Sequence, residues 1–275
     1  MKRRWIACSL VAAAVAVLGV AGLAKDTPVS SQWAAGPVRI DGSDQDWQGA
    51  TFLTDPDSMA KYAVMNDGKN LYVFVQFADE KSASTIESTG MKVFFNADDK
   101  KSKDLGVLFT RKALPTETMI AEMEKRGEAL SDERKAELRK QKTQMVLVEE
   151  PINAKKLAAP ADPAVKTEPP LYRTTKKQRA QSYEFRIPLS RVNQVAGIGA
   201  EPGRTIKLGF EWGGLTDEMK RDMMGPRGLS GPNPGLSDSL ANERNDSAGG
   251  SGAVLRHDPR TRQHSFWIDL KLAAQ

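Results

Sequence analysis

The sequence predicts an all-β protein, an antiparallel β-sandwich or jelly roll with an inserted helical hairpin. Three observations favour this class: short apolar runs with alternating polarity, turn residues between them, and one helix-forming segment that interrupts the pattern. The 275 residues are 40% hydrophobic and 27% charged, which is typical of a folded globular chain.

The first 24 residues differ from the rest of the chain. A basic segment, Lys2 to Arg4, precedes an apolar run, and Gly22 to Ala24 supplies small residues for cleavage. This pattern is typical of an export signal and predicts a periplasmic or secreted protein. The apolar run is also long enough to remain as an N-terminal membrane anchor if it is not cleaved.

The single cysteine, Cys8, lies inside this predicted signal. A processed chain therefore has no thiol for disulfides, thiolate metal sites or nucleophilic catalysis. Loss of the signal also removes three basic residues, which lowers the formal net charge from +5 to +2. The basic composition is thus partly due to targeting, and no nucleic-acid partner is predicted.

Eight short runs are predicted as strands. The turn from Asn66 to Asn70 contains Asn, Asp and Gly, which accept positive φ, so its two flanking runs are expected to form a hairpin. Alternating polarity within the runs is typical of antiparallel strands with one buried face. The predicted strands are 38–40, 61–65, 71–77, 91–95, 105–109, 183–187, 206–212 and 265–272.

Residues 25–275 are interpreted as one sandwich domain with an insertion and two long loops. Residues 113–145 are rich in helix formers and predict two helices, either as a solvated insertion or as a docking or lid element for a partner protein. Loops are predicted at about 151–182 and about 224–252, from their Pro, Lys, Gly and Ser content. The second loop is either a disordered loop or a ligand-facing loop that orders on binding.

A longer pattern begins with Ile40-Asp41-Gly42 and Asp46-Trp47, continues through the hairpin to Asp79, and returns at Tyr183–Leu189 and Phe266–Leu270. It resembles the family 9 carbohydrate-binding modules and related β-sandwich domains. The resemblance implies a jelly-roll or immunoglobulin-like sandwich that binds sugars without catalysis, and in some members calcium. A related branch binds haem through methionine and lysine in periplasmic dehydrogenase subunits, so a haem-carrying electron-transfer subunit is an alternative.

Sugar binding by a sandwich requires a flat aromatic surface. Trp47 follows a turn and is expected to cap the core. Trp212 ends a predicted strand before two glycines and is expected to share a face with Phe210. Trp267 follows Phe266, so these two face opposite sides. Trp212 and Trp267 are the predicted ligand-binding residues, with core packing as the competing interpretation of Trp212.

The predicted metal site consists of Asn96, Asp98, Asp99 and Asp104, because Ca²⁺ prefers carboxylate and carbonyl oxygens. Interleaved lysines oppose a dication at this position, and a solvated turn is the competing interpretation. The family resemblance places an acidic pair in a strand ending in Asp, where this chain has Lys92 and then Asn96. This departure argues against a calcium site or a sugar site carried over from the family. Calcium is the cofactor that the acidic turn itself suggests, and haem belongs to the alternative function.

Catalytic motifs are scarce. The two histidines, His257 and His264, are not accompanied by a Ser or Cys motif, so the protein is not predicted to be an enzyme. The sequence predicts an exported binding or accessory protein for a carbohydrate or cell-envelope glycan. The alternatives are the haem-binding subunit and a structural protein that docks a protein partner through its helical insertion.

Overall fold

The structure is a computed structural model that describes residues 28–98, 100–125, 129–153, 155, 167–192, 195–214 and 262–275. The predicted export signal, the predicted loop at about 224–252 and Asp99 lie outside the described residues. Among the described helices, none is long and apolar enough to span a membrane.

Two β-sheets pack face to face and confirm the predicted sandwich. The first sheet has the strand order β1-β12-β11-β6-β7-β8, and the second has the order β2-β4-β5-β10-β9, with β3 paired to β4. The two short N-terminal strands, β1 and β2, pair in parallel with their neighbours, and the other pairings are antiparallel. The strands are β1 Val29–Ser30, β2 Gln32–Trp33, β3 Leu53–Thr54, β4 Lys61–Asn66, β5 Asn70–Phe77, β6 Met91–Asn96, β7 Gly106–Pro115, β8 Thr143–Ile152, β9 Leu171–Lys177, β10 Ala180–Pro188, β11 Thr205–Gly213 and β12 Gln263–Lys271.

The predicted hairpin joins β4 to β5. Asp67 organises its turn, because one carboxylate oxygen accepts hydrogen bonds from the backbone N–H groups of Lys69 at 2.7 Å and Asn70 at 2.6 Å. The second oxygen accepts a hydrogen bond from the hydroxyl of Tyr72 at 2.8 Å. Both oxygens of this one acidic side chain therefore fix the register of the two strands.

The main core lies between the inner faces of the two sheets. In an antiparallel strand every second residue points to the same face, so the apolar half of each alternating run is buried here. Phe210 stacks on Phe266 with ring centres 4.7 Å apart, and Phe109 contacts Phe185 at 4.9 Å. These aromatic pairs join β11 to β12 and connect the first sheet to the second.

A second, smaller core covers the outer face of the second sheet. The segment between β2 and β3 crosses this face, and Trp47 packs on Phe74 with ring centres 5.5 Å apart. Its indole N–H donates a hydrogen bond to the Glu184 carboxylate at 2.8 Å. The other oxygen of Glu184 accepts the backbone N–H groups of Asp41 and Gly42, each at 2.9 Å. Asp41, Gly42 and Trp47 of the predicted pattern thus attach this segment to the outer face of the second sheet.

Gly42 is required in this segment for two reasons. Its φ of 81° lies in the left-handed region, where a side chain is disfavoured. A Cβ atom at this position would also lie 2.8 Å from the backbone of Thr174 in β9. The absence of a side chain therefore allows the chain to approach the sheet closely enough for its N–H to reach Glu184.

Two helices occur in the segment where a helical hairpin is predicted. They are α2, Thr116–Lys125, and α3, Asp132–Leu138, and they connect β7 to β8. Arg139 donates two hydrogen bonds to the Glu117 carboxylate, at 2.8 and 3.1 Å, which join the two ends of the insertion. The proposed docking role of these helices stays a prediction.

Several parts of the fold differ from the sequence prediction, and the short strands β1, β2 and β3 are among the elements not predicted. Residues 38–40 are not a strand, although Val38 and Ile40 pack against the smaller core. Helix α1, Glu80–Thr89, is not predicted, and it begins at Asp79, whose carboxylate accepts the N–H of Ser82 at 2.7 Å. Strands β8 and β9 occupy residues interpreted as helix or loop, because pairing with β7 and β10 outweighs their Pro and Lys content.

We expect Glu184→Gln to lower the free energy of unfolding by about 1–3 kcal/mol. The amide has one oxygen in place of two, so at least one of the three donors at this position loses its acceptor. Burial raises the pKa of Glu184 although its three hydrogen bonds oppose that shift, so the wild type loses stability as the pH rises through that pKa and the difference from the variant becomes smaller at higher pH. Urea denaturation followed by fluorescence measures the change.

Glu201→Gln is the matched control, because Glu201 is exposed and the same chemical change there leaves the Trp47 attachment intact. Equal denaturation midpoints for the Glu184 variant and the wild type would contradict the structural role assigned to this carboxylate.

Candidate functional site

Four residues form a continuous row across the outer face of the first sheet. Trp267 on β12 lies opposite Gly209 on β11, Gly209 lies opposite Phe94 on β6, and Phe94 lies opposite Gly106 on β7. An aromatic side chain thus alternates with a glycine over four adjacent strands. Because directly paired residues point to the same face, the two rings and the two gaps lie side by side.

The two glycines let both aromatic rings lie flat on the sheet. A Cβ atom at Gly209 would lie 2.7 Å from three carbon atoms of the Trp267 indole. One at Gly106 would first meet the backbone oxygen of Val93 at 2.5 Å and would lie 3.1 Å from the Phe94 ring. The planes of Trp267 and Phe94 differ by 13°, and their ring centres are 6.1 Å apart. Trp267 remains partly exposed. One indole face covers the Gly209 backbone, so the opposite face is the accessible one.

Charged groups border this aromatic surface in the next row of the sheet. Glu211 on β11 is buried, and one carboxylate oxygen accepts a hydrogen bond from the Lys92 ammonium at 3.0 Å. The other oxygen accepts one from Lys103, which lies on the turn between β6 and β7. Burial alone would raise the pKa of Glu211, but the hydrogen bonds and charges of Lys103 and Lys92 outweigh it and lower that pKa. Glu211 is therefore a carboxylate at neutral pH.

We call this surface the Trp267 platform. A flat indole face favours contact with the apolar face of a ring-shaped ligand. The carboxylate accepts hydrogen bonds from hydroxyl groups, and the ammonium groups donate hydrogen bonds to hydroxyl or carbonyl oxygens. The platform consists of Lys92, Phe94, Lys103, Gly106, Gly209, Glu211 and Trp267.

The two tryptophans predicted as ligand-binding residues do not share a cleft. Trp212 is 2% exposed and packs in the main core against Phe77, with ring centres 5.1 Å apart. It shares the inner face with Phe210, as the alternation predicts, whereas Trp267 lies on the outer face. The prediction of Trp212 as a ligand contact is thus corrected in favour of core packing, because its strand position points between the sheets.

Asn96, one of the residues predicted to bind metal, organises the turn after β6 through its side chain. The side-chain oxygen of Asn96 accepts the N–H of Asp98 at 2.9 Å, and its amide donates to the backbone oxygen of Lys100 at 3.0 Å. In the part of the chain that the structure describes, no group of three or more His, Cys, Asp or Glu residues is arranged to hold a metal ion. Asp99 lies outside that part and Asp104 is exposed, so the calcium site stays a prediction.

A small pocket of about 10 Å³ lies between α1 and strands β6, β7, β9 and β10. Its charged lining residues, Glu87 and Arg111, form an ion pair with each other at 3.4 Å. Met91 contributes to the lining, but the described lining contains no lysine. The pocket does not bring together the methionine and lysine that haem binding requires in the related branch, and the haem hypothesis stays a prediction.

Sequence reasoning did not identify Phe94, Gly209 or Glu211 as parts of a site. A glycine inside a strand indicates a close approach of another group, and Gly209 stands between two large apolar residues in β11. That signal was available, but the identity of the ring above the glycine depends on the strand order. Glu211 carried no local signal, because its two lysine partners are 119 and 108 residues away.

The chain matches no protein-family model and no curated protein. Among solved structures it is similar to a family 9 carbohydrate-binding module from Caldicellulosiruptor kristjanssonii in complex with glucose, at 14% identity over 70% of this chain and 80% of that chain, with a TM-score of 0.35. A second structure, with cellotriose, has the same identity and coverage and a TM-score of 0.34. The similarity is too low to transfer a ligand or a function to this chain.

We expect Gly209→Ala to displace the Trp267 ring and to lower the free energy of unfolding by about 1–3 kcal/mol. The new methyl group would lie 2.7 Å from three indole carbons. Urea denaturation measures the loss, and the tryptophan emission maximum should shift. In the Trp267→Ala background, Gly209→Ala should lower the free energy of unfolding by much less. A double-mutant cycle measures this difference as the coupling energy between the two residues.

The control is Gly68→Ala, because a Cβ atom there meets no atom within 4 Å. An additive double mutant would show that the indole does not lie on the Gly209 backbone.

Proposed function

We propose that this protein is an exported, non-catalytic binding protein that holds a carbohydrate, such as a cell-envelope glycan, on the Trp267 platform. The observation that carries the proposal is the flat, partly exposed indole of Trp267 seated on Gly209. A ring held against backbone on one face has little freedom to move, so a ligand on the other face meets a preorganised surface.

Hydrogen bonding at the border of the platform supports a sugar as the ligand. A pyranose combines an apolar ring face with several hydroxyl groups, which both donate and accept hydrogen bonds. Glu211 is an acceptor, and Lys92 and Lys103 are donors. Each of the two lysine side chains is about half exposed, so their ammonium groups are accessible to a bound molecule.

The composition of the platform supports binding without hydrolysis. Most glycosidases place two carboxyl groups on opposite sides of the bond that they cleave. Two carboxylates flank the aromatic row on this face, and both are paired with cations. Two ammonium groups hold Glu211 in its ionised form, and Asp269 forms an ion pair with Lys207 at 2.7 Å. A group in this state accepts hydrogen bonds from a ligand but does not supply a proton.

Export is part of the proposal and is supported by the basic segment, the apolar run and the small residues at 22–24. Cleavage near residue 24 would release the sandwich domain into the periplasm or the medium. Retention of the segment would anchor the same domain to the membrane, which keeps the platform on the outer side.

We expect Trp267→Ala to reduce carbohydrate affinity at least tenfold, because it removes the stacking surface; a tenfold loss corresponds to about 1.4 kcal/mol. Isothermal titration calorimetry with glucose, N-acetylglucosamine, cellotriose and chitotriose measures the effect on the folded domain, residues 25–275.

Trp33→Ala is the matched control, since Trp33 is a partly exposed tryptophan on the second sheet and away from the platform. Wild-type protein that is folded and binds none of these sugars, or a Trp267 variant that binds as well as the Trp33 variant, would refute the proposed function.

We expect expression of the full chain in a bacterial host to yield a periplasmic protein whose measured mass begins near residue 25. A chain lacking residues 1–24 is the control and should stay in the cytoplasm. A membrane-bound product of full mass would show that the segment is an anchor, and full-length protein in the cytoplasm would contradict export.

A further inference from the structure

Phe94 is a large aromatic residue on the outer face, and it is only 3% exposed. Its strand position points away from the main core, where a large aromatic ring is normally left open unless something covers it. One side of its ring lies against Gly106, and Trp267 flanks it. Lys103 lies over the ring, and its ammonium nitrogen is 5.9 Å from the ring centre.

Lys103 reaches Glu211 from a turn, and its side chain is 53% exposed. Glu211 is only 5% exposed, so the loss of one of its ammonium partners has a cost that a replacement hydrogen bond must offset. The ammonium lies near the outer limit of about 6 Å for attraction to an aromatic ring, so its contact with Phe94 adds little. Departure of Lys103 does not leave Glu211 without a partner, because Lys92 still donates to the other carboxylate oxygen. A ligand that replaces the hydrogen bond from Lys103 to Glu211 can therefore displace this side chain from Phe94.

We infer that Lys103 is a displaceable cover over a second stacking position, Phe94, and that the platform takes a ligand of two or more consecutive sugar rings. This inference rests on the proposed function of the Trp267 platform. With Lys103 moved, Trp267 and Phe94 present two nearly parallel rings whose centres are 6.1 Å apart. Adjacent units of an extended oligosaccharide would each contact one ring.

The ligand itself supplies the replacement for Lys103. The oxygen of Glu211 that accepts the Lys103 ammonium would accept a sugar hydroxyl in its place, so the hydrogen bond is exchanged and not lost. A monosaccharide on Trp267 alone has no need to move Lys103. Lys103 thus favours the binding of oligosaccharides over monosaccharides. Only an oligosaccharide gains a contact with Phe94, and this contact offsets the free energy needed to displace Lys103.

The test compares mono- and trisaccharide affinity by titration calorimetry, with glucose against cellotriose and N-acetylglucosamine against chitotriose. Lys103→Ala should raise the ratio of trisaccharide to monosaccharide affinity about three- to tenfold, since the second ring is already uncovered while any hydrogen bond from Lys103 to a sugar is lost for both ligands. Lys101→Ala is the matched control, because Lys101 is exposed on the same turn. Phe94→Leu should remove the advantage of the trisaccharide in both the wild-type and Lys103→Ala backgrounds.

A second measurement does not depend on any sugar or on the folding of the Phe94 variant. With ring-labelled phenylalanine, a soluble paramagnetic probe should broaden the Phe94 signals in Lys103→Ala but not in Lys101→Ala. Equal broadening of the Phe94 signals in Lys103→Ala and in the wild type would refute the covering role of Lys103. A Lys103→Ala protein with a lowered or unchanged ratio of trisaccharide to monosaccharide affinity, combined with loss of binding in Trp267→Ala, would overturn this inference alone. Absence of all sugar binding would overturn the proposed function together with it.

Discussion

The buried carboxylate of Glu184 is the interaction on which the arrangement of the two faces depends. It binds the Trp47 indole and the backbone N–H groups of Asp41 and Gly42, and so holds the segment between β2 and β3 across the outer face of the second sheet. That face is therefore occupied by the chain's own residues. The outer face of the first sheet instead keeps partly exposed side chains such as Trp267. The attachment thus decides which side of the sandwich is available to a ligand.

The character of the available face follows from two missing side chains. A strand interior normally favours residues with a Cβ atom that packs against its neighbours, and glycine there weakens the strand. At Gly209 and Gly106 an aromatic ring packs on the backbone and replaces the contacts that a side chain would make. The rings that pack in this way also form a flat surface on the sheet. Stability and a stacking surface therefore have one structural cause, and Glu211 adds a charged border to it.

Local sequence signals were sufficient for most strands but not for the elements that depend on partners. The hairpin at Asp67 was predictable, since the turn residues form its hydrogen bonds themselves. Helix α1 was not predicted because its Ser and Thr content has low helix propensity, although Asp79 and Gly90 are suitable caps for its two ends. Strand β9 contains lysines and follows prolines, and it is a strand because β10 offers it a complete set of backbone partners.

The sequence by itself determined the sandwich class, the place of the helical insertion and the opposite facing of Phe266 and Trp267, because each follows from periodicity or composition within a short stretch. The tertiary structure decided that Trp212 is core and that Trp267 lies on a glycine. It also brought Lys92, Lys103 and Glu211 together from separate parts of the chain. Strand order sets these neighbours, and no local pattern encodes which of several strands will lie beside another.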